Sequence, residues 1–168
     1  LQKLEKDFGG LAEYWFQVVS AAYLARQFEI MRLAAARGYE LANNNPIFIN
    51  NYAAALLIER TNAPLAIELT LRRLTQDPRN RGARLNHALA LLQNGRLDDA
   101  AAELDQLNPL DLDSHYRTVR QLGYFELYFR RQDRNAALQA YREIEPRFLM
   151  PPQLRWVQEA YQQLSRTQ

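Results

Sequence analysis

The chain has 168 residues, 48% of them hydrophobic and 24% charged, enough apolar material for one compact domain or a short repeat array and too much for general disorder. Its 21 basic and 19 acidic side chains leave a formal net charge of +2, a near-balance that does not point to nucleic acid. The absence of cysteine excludes disulfides and thiolate metal sites, and no apolar run approaches the roughly 20 residues that span a bilayer. Composition leaves the compartment open, cytoplasmic or periplasmic. All basic residues except Lys3 and Lys6 are arginine, a bias that a GC-rich bacterial genome produces. The chain begins at Leu1 without a signal-like segment, and is expected to be a piece of a larger protein.

Strand signals are nearly absent, while apolar residues recur at helical spacing along the whole chain. The first predicted pair of helices covers 11–26 and 28–41 and ends at Asn43-Asn44-Asn45-Pro46. A second pair covers 50–60 and 63–76, with Thr61-Asn62 as turn and cap and Pro64 in a first helical turn, where proline is tolerated. In the third pair, Leu85, Ala88, Leu89 and Leu92 share one face. Asn94-Gly95-Arg96 breaks the helix, and Leu97, Ala100, Ala101 and Leu104 share the next face. Gly95 suits the left-handed end of a helix, and Asp98 and Asp99 suit the positive start of the following one.

A fourth pair covers 113–130 and 135–144. After Pro151-Pro152 a last helix, 153–165, turns Leu154, Val157, Ala160 and Leu164 inward and Gln158, Glu159 and Gln162 outward, as a C-terminal capping helix would. A docking helix and a mobile end are the alternatives. Pro46, Pro78, Pro109 and Pro146 recur at intervals of 32, 31 and 37 residues. Helix pairs at such a period predict an all-α solenoid, one continuous array over 1–168 with hairpins near 11–45, 46–78, 79–109 and 110–146.

The stretch from Gln93 to Leu104 resembles the centre of a tetratricopeptide repeat, in its glycine turn (Gly95), acidic helix start (Asp98, Asp99), small residue (Ala100) and larger apolar residue four positions on (Leu104). Ala66, Thr70 and Pro78 stand at the family's small, bulky and proline positions one repeat earlier, with Thr70 in place of the usual aromatic and Thr61 near the expected glycine. Gly123 or Phe125 takes the early small position of the fourth repeat, which carries one or two extra residues. The resemblance runs from Tyr14 to Ile144 and implies a right-handed α-α superhelix.

No catalytic or cofactor motif emerges. His87 and His115 are far apart and lack a partner at metal-ligand spacing; His87 reads as a packing residue and His115 as a surface residue at a helix start. Asp98-Asp99 and Asp111 with Asp113 are explained by helix starts. Arginines cluster at Arg79, Arg81 and Arg84 and again around Arg117 to Arg134, with acidic residues interspersed, and read as a solvated, salt-bridged face. Nucleic-acid binding is the less favoured reading, and no metal, cofactor or catalytic residue is predicted.

What the resemblance implies is a groove. In tetratricopeptide proteins the first helices of successive pairs line a concave surface that holds an extended peptide or a helix. Carried to this chain, the lining is Tyr14 and Gln17, Asn50 and Asn51, Leu85, Asn86, Leu89 and Gln93, then Glu126, Phe129 and Arg130. Asn51 and Asn86 match a family position that bonds a peptide main chain; a hydrogen bond to a neighbouring helix is the other reading. The lysines with which chaperone-binding members clamp a carboxylate have no counterpart here. The expectation is a non-enzymatic scaffold for an apolar or aromatic peptide or helix, with self-association or packing within a larger protein as alternatives.

Overall fold

An Asn or Asp side chain accepts a backbone N–H at the start of five helices: Asn45 from Ile47, Asn62 from Leu65, Asn80 from Ala83, Asp113 from Tyr116 and Asp133 from Ala136. These caps set the punctuation of an all-helical chain, seen in a computed structural model that describes residues 2–166. The helices are α1 (Gln2–Phe8), α2 (Ala12–Leu24), α3 (Phe28–Leu41), α4 (Pro46–Glu59), α5 (Ala63–Gln76), α6 (Arg81–Gln93), α7 (Leu97–Asp105), α8 (Ser114–Arg130), α9 (Arg134–Arg142) and α10 (Pro151–Arg166), with 3-10 turns at Pro109–Asp111 and Pro146–Phe148. No strand occurs among the described residues, and none of their helices is long and apolar enough to cross a membrane. Residues 1, 167 and 168 of the predicted array lie outside the described residues.

The helices predicted at 50–60 and 153–165 begin earlier, at Pro46 and Pro151. Proline at a first helical position lacks only an N–H that would have had no partner there, so it opens these helices instead of preceding them. The short α1 is not announced by the apolar periodicity.

A left-handed residue ends the first helix of each pair: Arg26 (φ 55), Arg60 (φ 61), Gly95 (φ 78) and Gln132 (φ 60), at intervals of 34, 35 and 37 residues. Three of the four are not glycine, although an L side chain in this conformation costs roughly 1–2 kcal/mol. In the second pair the turn residue is Arg60, one position before Thr61.

Each helix from α2 to α9 packs on its successor, and α4 also touches α6, which touches α8. A central cluster of buried side chains (Ile49, Leu69, Leu85, Leu92, Leu104) runs through α4 to α8. A second cluster (Trp15, Met31, Phe48, Ile58) joins α2, α3 and α4, and a third (Phe125, Ile144, Leu149, Val157) joins α8, α9 and α10. The inward and outward faces of α10 are as predicted: Val157 and Ala160 are buried, Gln158, Glu159 and Gln162 exposed. The helix lies on α8 and α9 as a cap would, yet it also reaches α4. Just before it, Met150 is buried in the cluster at the opposite end of the chain, and Arg26 Nη2 donates to the Leu149 carbonyl at 2.8 Å.

The backbone of α3 approaches α4 so closely at Gly38 that a Cβ there would overlap the Phe48 ring, itself 3% exposed. We expect Gly38→Ala to lower stability by about 1–3 kcal/mol, the usual cost of overpacking, measured by urea denaturation against a Gly10→Ala control, where the added Cβ meets nothing.

Candidate binding pocket

The inward faces of α2, α4, α6 and α8 converge on an open pocket of about 680 Å³. Phe16, Val19, Ser20, Tyr23 and Leu24 enter it from α2. Helix α4 contributes Asn50, Asn51, Ala54, Leu57 and Ile58; α6 contributes Gly82, Leu85, Asn86 and Leu89; α8 contributes His115, Tyr116 and Val119. Met31, Phe148 and Gln153 complete the wall, and none of these side chains carries a formal charge near neutrality.

Two hydrogen bonds hold three of the four amides that face the pocket. Asn86 Nδ2 donates to Asn50 Oδ1 at 3.1 Å, linking α6 to α4, and Gln153 Oε1 accepts from the Met150 N–H at 3.0 Å. The rim is closed between α2 and α8, where Tyr23 Oη lies 2.5 Å from His115 Nε2. His115 is boxed by aromatic rings, with centroids of Tyr23, Tyr116 and Phe148 at 5.7, 5.3 and 6.3 Å. Burial pushes the imidazole pKa down, against the pull of Asp113, and pushes the Tyr23 phenol up, helped by Tyr116 and Asp113. Both groups are therefore neutral near pH 7, and one donates to the other. His115 is half-buried, not the surface residue its place at a helix start suggests.

Leu57, Ile58, Leu89 and Gln153 border both this pocket and a small cavity of about 10 Å³ beyond it, and so form the floor between them. The small cavity is walled by Arg60, Gln93, Leu122, Glu126 and Trp156. Glu126 is 1% exposed, and Arg60 grips it through both nitrogens, Nη1 to Oε2 at 2.8 Å and Nη2 to Oε1 at 2.6 Å. Arg130 Nε adds a third bond to Oε1 at 2.9 Å, and the Arg60 guanidinium stacks 4.2 Å from the centre of the Trp156 ring. That ring also meets Phe125 and Phe129 edge-on, at 5.7 and 6.3 Å.

Of the residues expected to line a groove, Asn50, Asn51, Leu85, Asn86 and Leu89 share the open pocket. Tyr14 packs edge-on against Trp15 at 4.9 Å and Gln17 is exposed, because the side of α2 facing the pocket is that of Phe16, Val19, Ser20 and Tyr23. Gln93 donates to the Leu57 carbonyl at 2.9 Å behind the floor. Glu126 is held by Arg60 and Arg130, and Phe129 meets Trp156. Helix α8 has 17 residues against 13 in α6, and it presents its beginning, not its end, to the pocket. The residues sequence reasoning missed include Tyr23, His115, Tyr116, Phe148 and Gln153; a run of rings (Tyr116, Tyr124, Phe125, Tyr128, Phe129) was a signal for the region of His115 and Tyr116, and none marked Tyr23, Phe148 or Gln153.

His87 is a packing residue, 8% exposed. Its Nδ1 lies 2.9 Å from Thr70 Oγ1, whose hydroxyl donates to the Ala66 carbonyl at 2.8 Å, so Nδ1 carries the proton. Burial lowers the His87 pKa first of all, with Glu103 opposing and Arg96 and Arg84 assisting. Compared with protein-family models, curated proteins and solved structures, the chain matches none.

Removing one partner of a buried ion pair strands the other, at about 3–5 kcal/mol. Arg60→Ala, which leaves the buried Glu126 carboxylate to Arg130 alone, is expected to lower stability by up to about that much, and Arg130→Ala by less because Arg60 still grips the carboxylate through two bonds; urea midpoints of the two variants check the order.

Both histidines have folded pKa values below the ordinary 6.5, so between those values and 6.5 the unfolded chain binds more protons. Their effect on stability is nil well above 6.5 and becomes an increasing loss as the pH falls below it. The thermal midpoint is expected to fall less between about pH 7.5 and about pH 5 in a His87→Gln/His115→Gln variant than in the unaltered protein.

Proposed function

We propose that the chain is a non-enzymatic interaction module of tetratricopeptide-like architecture, a right-handed row of four helix pairs whose concave side takes up an apolar segment of another polypeptide. The observation that carries this reading is the pocket of about 680 Å³, apolar over most of its wall, in which Asn50, Asn51, Leu85, Asn86 and Leu89 meet. Pockets of roughly 300–1,000 Å³ with a few convergent polar groups are the usual form of binding sites. The family resemblance is supported by the left-handed residues 34, 35 and 37 apart. It is supported too by the close approach at Gly123, where a Cβ would stand 3.0 Å from Leu104 Cδ2.

The segment is held mainly by apolar side chains seated against Leu57, Leu89 and Val119, with the asparagine amides setting register. It enters from the open side instead of running the length of the array, because Tyr23 and His115 tie the first pair to the fourth, and α10 fills the part of the face beside Glu126. The second reading, packing within the same protein, has its own observation in α10: Trp156 already occupies the position of a bound aromatic side chain between Arg60 and Phe129.

A random peptide library selected on the protein tests the partner reading. Enriched peptides are expected to share a stretch with two or more large apolar side chains and no charge. Ala54→Trp, which fills the pocket from α4, is expected to weaken them about tenfold or more, corresponding to at least about 1.4 kcal/mol. Peptides that bind this variant as well as the unaltered protein place the binding surface elsewhere.

A further inference from the structure

The pocket has a direction. Along α4 its lining changes from Asn50 and Asn51 through Ala54 to Leu57 and Ile58, and along α6 Asn86, beside Leu85, is followed by Leu89. Seven residues of helix separate Asn51 from Ile58, a rise of roughly 10 Å. The polar end is thus set apart, by about the length of a medium alkyl chain, from a floor of Leu57, Ile58 and Leu89 whose one amide, Gln153, is tied to the Met150 N–H.

At the polar end the amides are half used. The Asn86 to Asn50 bond consumes one donor hydrogen and one acceptor lone pair. Asn50 Nδ2 keeps its donors and Asn86 Oδ1 its acceptor pairs, and the Asn51 amide makes no hydrogen bond within the described residues. A hydroxyl or an amide, able to give and to accept, matches that pair. An ionised head group does not, because no side chain lining the pocket carries an opposite charge and His115 is held neutral by its burial.

We propose that this pocket binds a neutral amphiphile, an alkyl chain or ring body lying on Leu57, Ile58 and Leu89 with one uncharged hydrogen-bonding head at Asn50, Asn51 and Asn86. The proposal uses the same pocket as the partner reading and goes beyond it, since a free small molecule satisfies it without any polypeptide. The contact of Tyr23 with His115 favours such a ligand: it bounds the pocket between α2 and α8 and leaves room for a short body.

The test uses the neutral fluorescent probe N-phenyl-1-naphthylamine, followed by displacement with dodecanol, dodecanoate and dodecylammonium at neutral pH and below their micelle concentrations. Saturable binding of one probe per chain is expected. Dodecanol should displace it at concentrations about tenfold or more below those needed with either charged chain. Ala54→Trp and Ser20→Trp, which fill the pocket from two different helices, are each expected to weaken the probe about tenfold with the helical circular dichroism unchanged. Ser20→Trp keeps the test decisive if Ala54→Trp misfolds.

Absence of saturable binding, equal competition by charged and neutral chains, or probe affinity retained in the folded variants would overturn the proposal. Probe binding without any selected peptide removes the partner reading alone. Selected peptides without probe binding remove the amphiphile alone.

Discussion

A carboxylate that is 1% exposed has to be neutralised where it stands, and the arrangement around Glu126 follows from that requirement. Arg60 comes from the turn after α4 and Arg130 from the same helix as Glu126, one turn further on. Arg60 reaches Glu126 from the left-handed position (φ 61) that ends the first helix of each pair, where the third pair has glycine. The flat outer side of its guanidinium then offers a platform, and Trp156 of α10 stacks on it at 4.2 Å. One buried charge thereby joins the second pair, the fourth pair and the terminal helix.

The pocket is the complement of that junction. With α10 held over Glu126, Leu57, Ile58 and Leu89 lose solvent on one side and become a floor. With the segment before α10 crossing to α2, where Arg26 holds the Leu149 carbonyl, Phe148 becomes a wall. The charges stay behind the floor, and the cup in front of it is lined by amides, phenols and aliphatic groups. Its chemistry is therefore set as much by where the ion pairs have gone as by the residues that remain.

The helices were legible because their signals are local. Apolar spacing within one or two turns and an Asn or Asp just ahead of it suffice to place α5 at 63–76, and the mistakes at Pro46 and Pro151 concern which side of a proline the helix lies. Five of the pocket's twenty lining residues, Asn50, Asn51, Leu85, Asn86 and Leu89, coincide with expected positions, and they sit in helices of ordinary length. The remainder depends on contacts between distant segments. Whether Phe129 faces an open groove or Trp156 is decided 27 residues later in the chain, and whether His115 is exposed depends on Tyr23, 92 residues earlier. No periodicity within α8 carries that information. Thr70 shows the same limit on a smaller scale: its hydroxyl meets a histidine of the following helix, 17 residues on, which spacing within α5 does not reveal.

The bond between Tyr23 and His115 also changes how the chain would be expected to fold. An open row of helix pairs, each touching only its neighbours, behaves as a one-dimensional array in which pairs come apart piecemeal and order spreads from any point. Here a contact spanning 92 residues, reinforced by Met150 packed among the side chains of α2, α3 and α4, adds long-range closure to that local scheme and raises the contact order. The ends gain the protection normally reserved for the middle, at the expense of a slower search. Folding of these helices is in consequence more nearly all-or-none, and the pocket is complete only once α2, α8 and the segment before α10 have met.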